Sequence, residues 1–152
     1  MTNASTSRVI EARDADELLD FFTKCLLQQA SQSISQRGVF NLVLSNSDVL
    51  EDVYARLMYD PDMRVMPWNE THLWFLGSQD QSIVVHSGIP EENVHVGEIE
   101  ESIDCCVVAP RDITCLSEDM NARCSAFLIL AKSRAEANSV SWTHQGVAHW
   151  FC

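Results

Sequence analysis

Asn41-Leu42-Val43-Leu44-Ser45-Asn46-Ser47-Asp48-Val49-Leu50 joins an apolar run to a polar turn and then to a segment with helical spacing. Val39 to Leu44 reads as a short buried strand, because it is dense in β-branched and bulky apolar residues and follows directly on Gly38. Ser45-Asn46-Ser47-Asp48 is a cluster of turn and cap residues. Behind it, Val49, Leu50, Val53, Tyr54, Leu57 and Met58 recur at the three- and four-residue steps of one helix face. Strand, cap loop and helix in that order form the repeating unit of an α/β layer.

The flanking sequence extends the same alternation. Upstream, Leu18, Leu19, Phe22, Cys25, Leu26, Ala30 and Ile34 predict a helix over Asp14 to Ser35, with Asp14 or Asp16 as its N-cap. Downstream, Pro61 and Pro67 break the chain, and Thr71 to Leu76 has the aromatic and apolar density of a second strand ending at Gly77. Gly77 to Gln81 is the most polar stretch, and Ile89 to Asn93 is a turn. Ile103 to Val108, Ala126 to Leu130 and Gly146 to Phe151 read as further strands. Between them, Ser117 or Asp119 opens a short helix through Arg123, and Lys132 to Asn138 is helix-compatible. The expected fold is a three-layer, Rossmann-like α/β domain with a mostly parallel sheet and flanking helices. It spans residues 13–152 behind a flexible N-terminal segment, residues 1–12.

Composition narrows the function classes. The chain has 152 residues, 46% apolar and 21% charged, and its 10 Lys and Arg against 22 Asp and Glu give a net charge of -12. That balance repels phosphate backbones and anionic lipid heads, so neither nucleic acid nor a membrane surface is an expected partner. The nearest basic group, Arg123, Lys132 and Arg134, stands among Glu118, Asp119 and Glu136. No apolar run approaches the roughly 18–20 residues of a spanning helix, and the expected location is the cytoplasm. The six cysteines, Cys25, Cys105, Cys106, Cys115, Cys124 and Cys152, contain no C-x-x-C pair and are expected to be reduced thiols without a metal. No cofactor is expected.

The order of the blocks resembles the 6-phosphogluconolactonase family, which shares its fold with the glucosamine-6-phosphate deaminases. Asn41 to Leu50, with Val53-Tyr54 and Leu57, is similar to that family's strand, S-G-G-S-T-P phosphate loop and following helix. Trp68 with His72-Leu73-Trp74-Phe75 resembles its next strand, Ile89-Pro90-Glu91-Glu92-Asn93-Val94-His95 its I-P-x-x-N-V-H stretch, and Gly146 to Trp150 its closing strand. Ile113-Thr114 and Met120-Asn121-Ala122-Arg123 look like its R-I-T-L-T and L-N-x-A segment, and Phe127 to Ala135 its strand and Gly-x-x-Lys-Ala segment. The chemistry-bearing motifs depart from the pattern. The D-E-R motif is replaced by Gly77-Ser78-Gln79, and Ala131 and Arg134 stand for Gly and Lys. The G-x-x-D-G-H-T-A-S-L-F-P motif is absent after Val108, and Asp112 takes the family arginine's place one residue beyond Arg111. The resemblance therefore implies a shortened scaffold without its active-site motifs.

On that reading, Ser45, Asn46, Ser47 and Arg111 are the candidate ligand-binding residues, as a degenerate phosphate loop. Without glycine the loop cannot turn successive amides toward an anion cheaply, and Asp48 sets a negative charge beside it. A cap role is the competing reading. No residue is assigned as catalytic. His72, His86, His95, His144 and His149 carry no motif of a general base, and Cys105-Cys106 would fill the two faces of a strand rather than act as nucleophiles. Glu91-Glu92, Glu98, Glu100-Glu101 and Asp104 lack the order of a calcium loop and read as a solvated face. Trp142, Trp150 and Phe151 read as sheet-edge packing or a partner surface. The expected protein is a non-catalytic binding or interaction domain, with a sugar phosphate, a protein partner or a second copy as candidate partners. The alternative is a hydrolase of 6-phosphogluconolactone or another sugar phosphate with a reworked anion site.

Overall fold

The structure is a computed structural model that describes residues 6–140, 142, 144 and 146–152. In chain order its elements are β1 (Thr6–Ile10), α1 (Ala15–Arg37), β2 (Phe40–Ser45), α2 (Glu51–Tyr59), β3 (Thr71–Leu76), α3 (Gln81–His86), β4 (Cys105–Val108), α4 (Pro110–Ile113), α5 (Glu118–Arg123), β5 (Ala126–Leu130), α6 (Arg134–Ser139) and β6 (Val147–Phe151). The helix boundaries follow local chemistry. The Asp14 carboxylate caps α1 by accepting from the Glu17 amide, and Gly38 ends it at φ 81°, a left-handed conformation that costs glycine little.

The strands lie in the order β1-β6-β5-β4-β2-β3, and every neighbouring pair is parallel. The sheet is thus parallel throughout, where the sequence predicted a mostly parallel one. Alternation along the strands explains why both faces need cover. Leu42, Leu44, Cys105 and Val107 pack into the layer with Phe22 and Leu26 of α1 and Val53 and Leu57 of α2. Val43, Cys106, Val108 and Ile129 face the opposite layer, which holds Ile113, Met120 and Ala137 from α4, α5 and α6.

Three features differ from the sequence reading. Thr6–Ile10, expected within a flexible segment, forms the edge strand β1, paired in register from Thr6 with Val147 to Ile10 with Phe151. Its residues carry little local signal, because the pairing joins opposite ends of the chain. Residues 1–5 of that expected segment lie outside the described residues. Helix α3 starts where the polar stretch ends, in a segment left unassigned from sequence; Asp80 caps the Ile83 amide and Ile83 is the buried anchor. Helix α4 is a four-residue turn opened by Pro110.

The connections create one topological switch point. Leaving β2, the chain turns to the α1–α2 layer, and leaving the adjacent β4 it turns to the α4–α6 layer. Open parallel sheets bind ligands in the crevice outside such carboxyl ends. Among the described residues no helix is long and apolar enough to cross a membrane.

Candidate functional site

Ser45 is the last residue of β2, 3% exposed, and Ala109 immediately follows β4. Between these strand ends lies the Asp112 carboxylate. Its Oδ2 accepts the Ser45 hydroxyl at 2.6 Å and the Ala109 amide at 2.8 Å. The Tyr54 hydroxyl donates to the Ser45 carbonyl at 2.5 Å, tying α2 to the same point. Burial pushes the Tyr54 phenol well above its ordinary value, with smaller contributions from Cys106 and Asp112, so it stays a donor.

The loop after Ser45 divides its side chains. Asn46 is exposed and donates to Ser78 Oγ at 3.0 Å. Ser47 precedes a 3-10 turn over Asp48–Leu50 that leads into α2, but its side chain makes no cap hydrogen bond. The cap reading therefore holds for its position and not for its hydroxyl. Ser47 is 5% exposed, and its Oγ has no partner among the described residues. Arg111 lies on a cleft of about 260 Å³ beside Asp48, Val49, Ala109 and Pro110, with Lys132 and Glu136 across it. The structure thus brings Ser45 and Ser47 to the strand ends and Arg111 to the adjoining cleft, while Asn46 turns away toward Ser78.

Two participants went unassigned from sequence. Lys132 reaches the cleft because it sits two residues beyond β5, on the carboxyl side of the sheet. Asp112 becomes central because α4 folds its carboxylate back onto the amide of the helix's N-cap residue, Ala109. Glu136 is occupied structurally, accepting the Lys132 amide at 3.0 Å as part of the α6 cap. The crevice and its cleft therefore carry three carboxylates, Asp48, Asp112 and Glu136, against Arg111 and Lys132.

None of the five histidines lines this cleft. His72 and His95 lie by the amino ends of the strands, hydrogen-bonded Nδ1 to Nε2 at 2.8 Å, and His95 stacks on Trp74 at 4.6 Å. They border a cleft of about 480 Å³ with Glu98, Glu100 and Glu101. No group of three or more His, Cys, Asp or Glu among the described residues is placed to hold a metal ion. His144 contacts Ser7 Oγ at 3.2 Å and the Gly146 carbonyl at 2.7 Å, tying β1 to the start of β6. His86 packs against Tyr59. His149 is buried, with no partner for its Nδ1 among the described residues.

Burial, then the neighbouring His72, holds His95 below the ordinary imidazole value, and burial, then Arg8, does the same to His149. The unfolded chain therefore binds these protons more readily. Their stabilising contribution is complete above the unfolded histidine value of about 6.5 and is lost as pH falls below it. Denaturant unfolding at successive pH values is expected to show a smaller acid-side loss in the doubly substituted His95→Gln, His149→Gln protein than in the unsubstituted chain.

The adjacent thiols have structural surroundings. Cys105 packs into the α1–α2 layer and Cys106 into the other. Burial pushes Cys105 up strongly, and contact with the Cys124 thiol, then burial, does so for Cys106, so neither is a ready thiolate. Asp104, expected on a solvated face, is buried in an ion pair with Arg37 and accepts the Asn41 amide at 2.8 Å. It fixes the end of α1 to the start of β2.

No family model and no curated protein matches the sequence. Among solved structures, the chain is similar to the crystal structure of 6-phosphogluconolactonase from Thermotoga maritima, with a TM-score of 0.66 and 12% sequence identity over 95% of this chain and 99% of that one. The match agrees with the parallel six-stranded sheet and with the block order in the sequence. The chain has a divergent 6-phosphogluconolactonase-like fold.

Proposed function

We propose that this chain has lost lactone hydrolysis and acts as a non-catalytic binding or interaction domain on a 6-phosphogluconolactonase-like scaffold. Hydrolysis of a phosphorylated lactone requires a base to activate water, donors for the tetrahedral oxyanion and a cradle for the phosphate. One observation carries the reading: the donors at the switch point, the Ser45 hydroxyl and the Ala109 amide, are already engaged by the Asp112 carboxylate. No histidine lines the adjoining cleft to act as the base. Asp48 and Glu136 add negative charge where a dianionic substrate would approach.

The protein incubated with 6-phosphogluconolactone is expected to release acid no faster than the spontaneous reaction. A protein-dependent rate that vanishes on substitution of one histidine overturns the proposal. The hydrolase alternative, with Ser45, Asn46, Ser47 and Arg111 as a reworked anion site, is favoured by one feature. Arg111 and Lys132 share the cleft and form no ion pair among the described residues. Protection of those residues by a sugar phosphate supports that alternative. As an interaction domain, the chain would offer the carboxyl ends of its strands to a protein partner or a second copy. A cytoplasmic setting suits its six unpaired cysteines.

A further inference from the structure

We propose that the cleft at the amino ends of β2 and β3, lined by His72, Trp74, His95, Glu98, Glu100 and Glu101, is a binding site for a guanidinium group. It lies at the other end of the strands from the switch point and does not depend on lactone hydrolysis being lost. Residues two apart on a strand face the same way, so Asn41 and Val43 of β2 share a face with their register partners His72 and Trp74 of β3. Val43 and Trp74 belong to the layer of α4–α6. Toward Asn41 and His72 the same face borders an open cleft of about 480 Å³. Residues 95–101 run along it, anchored where the His95 amide donates to the Leu73 carbonyl at 2.8 Å.

Three properties of the cleft select the ligand. The first is flat aromatic surface. The His72 and His95 rings are parallel to within 9° with centroids 5.1 Å apart, and they join Nδ1 to Nε2 at 2.8 Å, so they meet edge to edge. Trp74 stacks on His95 at 4.6 Å. A planar, weakly hydrated guanidinium stacks on such surfaces, whereas an ammonium holds its water. The second is unopposed charge. Glu98, Glu100 and Glu101 are exposed and form no ion pair among the described residues, and no Lys or Arg lines the cleft. Arg123 of α5 donates to the Glu100 carbonyl but pairs with the Asp119 carboxylate at 3.5 Å. Burial and the neighbouring His72 hold His95 below the ordinary imidazole value, so that ring is neutral at physiological pH and adds no competing charge. The third is an unused donor. Trp74 is 6% exposed, and its indole N–H makes no hydrogen bond among the described residues. Buried polar groups are ordinarily satisfied, so this one suits a carbonyl carried beside the guanidinium, as in an arginine residue.

Isotope-labelled full-length protein titrated at constant pH and ionic strength with Nα-acetylarginine amide, following the His72 and His95 imidazoles, the Trp74 indole N–H and the amides of residues 95–101, tests the proposal. Saturable shifts confined to these groups are expected, with Nα-acetyllysine amide binding at least about tenfold more weakly. The combined Glu98→Gln, Glu100→Gln, Glu101→Gln protein, changed only at exposed positions, is expected to weaken binding at least about tenfold, and Glu91→Gln, Glu92→Gln, outside the cleft, to leave it unchanged. Methylguanidinium separates the two sources of the group. Binding as tight as that of the arginine amide supports a site for small guanidino molecules, and weaker binding supports an arginine residue of a protein partner that also engages the Trp74 N–H. Absence of saturable shifts with either guanidinium probe overturns the proposal. Equal binding of the arginine and lysine amides, or equal losses in the two glutamate variants, also overturns it, because attraction to an acidic surface then suffices.

Discussion

Replacing Phe22 with alanine is expected to destabilise the domain by about 3–5 kcal/mol, the range for deleting a fully buried aromatic ring. Phe22 is fully buried on α1, and its ring sits 4.9 Å from that of Phe151 at a tilt of 56°. Phe151 ends β6, the strand that holds both β1 and β5, so this pair fastens the longest helix to the sheet. The space left by the ring is bounded by helix and sheet backbone that cannot close around it. A domain of this size has a total stability of about 5–15 kcal/mol, so a substantial part of it is at stake. Phe21, the next residue on the same helix, is only partly buried, and its alanine variant should lose about 1 kcal/mol. Denaturant midpoints with unchanged slope measure both effects. Equal losses at the two positions would contradict the packing of α1 described above.

The contrast between these neighbours also explains how much of the fold was legible in the sequence. Phe22, Cys25, Leu26 and Ala30 recur with helical spacing, and all four are buried. The central strands were readable for the related reason that both their faces are covered, which makes Leu42 to Leu44 and Phe127 to Leu130 continuously apolar. Strand β1 was not readable. Its pairing partner is about the whole chain length away, and Thr6-Ser7-Arg8 has no apolar alternation to announce an edge strand. Helix α3 was missed because a single cap, Asp80, and a single anchor, Ile83, define it. Both are weak signals in a six-residue helix whose Ile83-Val84-Val85 run is β-branched and therefore a poor helix former.

The site was legible as a place but not as an arrangement. Ser45, at the end of an apolar strand and before a polar loop, marks the carboxyl edge of the sheet. What the loop does depends on Asp112, 67 residues further on, whose carboxylate meets the Ser45 hydroxyl only once β2 and β4 pair. Sequence spacing does not encode that contact. The same holds for Lys132, which reaches the cleft through the order of strands. Similarity in fold at 12% identity therefore locates the crevice, and the side chains within it decide what it can do.

Gly146→Ala is the second substitution with a large expected effect, about 3 kcal/mol, and it acts by collision. A Cβ at Gly146 would lie 2.5 Å from the Cys124 carbonyl oxygen, 2.6 Å from that of Ser125 and 2.8 Å from the Ser125 carbonyl carbon. All three atoms are backbone, so no change of rotamer relieves the contact. Gly146 immediately precedes β6, and the Val147 amide donates to the Ser125 carbonyl at 2.9 Å at the point where β5 and β6 begin to pair. Relief requires the two strands to separate there, loosening the register that also positions β1. Gly97 provides the control. It has φ 92° and nothing within 4 Å of an added Cβ, so Gly97→Ala meets only the backbone penalty of the left-handed region, about 1–2 kcal/mol. For a domain of this length each kcal/mol moves the melting temperature by about 2–4 °C. Gly146→Ala should therefore melt roughly 6–12 °C below the unsubstituted protein and clearly below Gly97→Ala. Melting of Gly146→Ala within a degree of the unsubstituted protein would mean that β6 does not enter the sheet as closely against Ser125 as the structure places it.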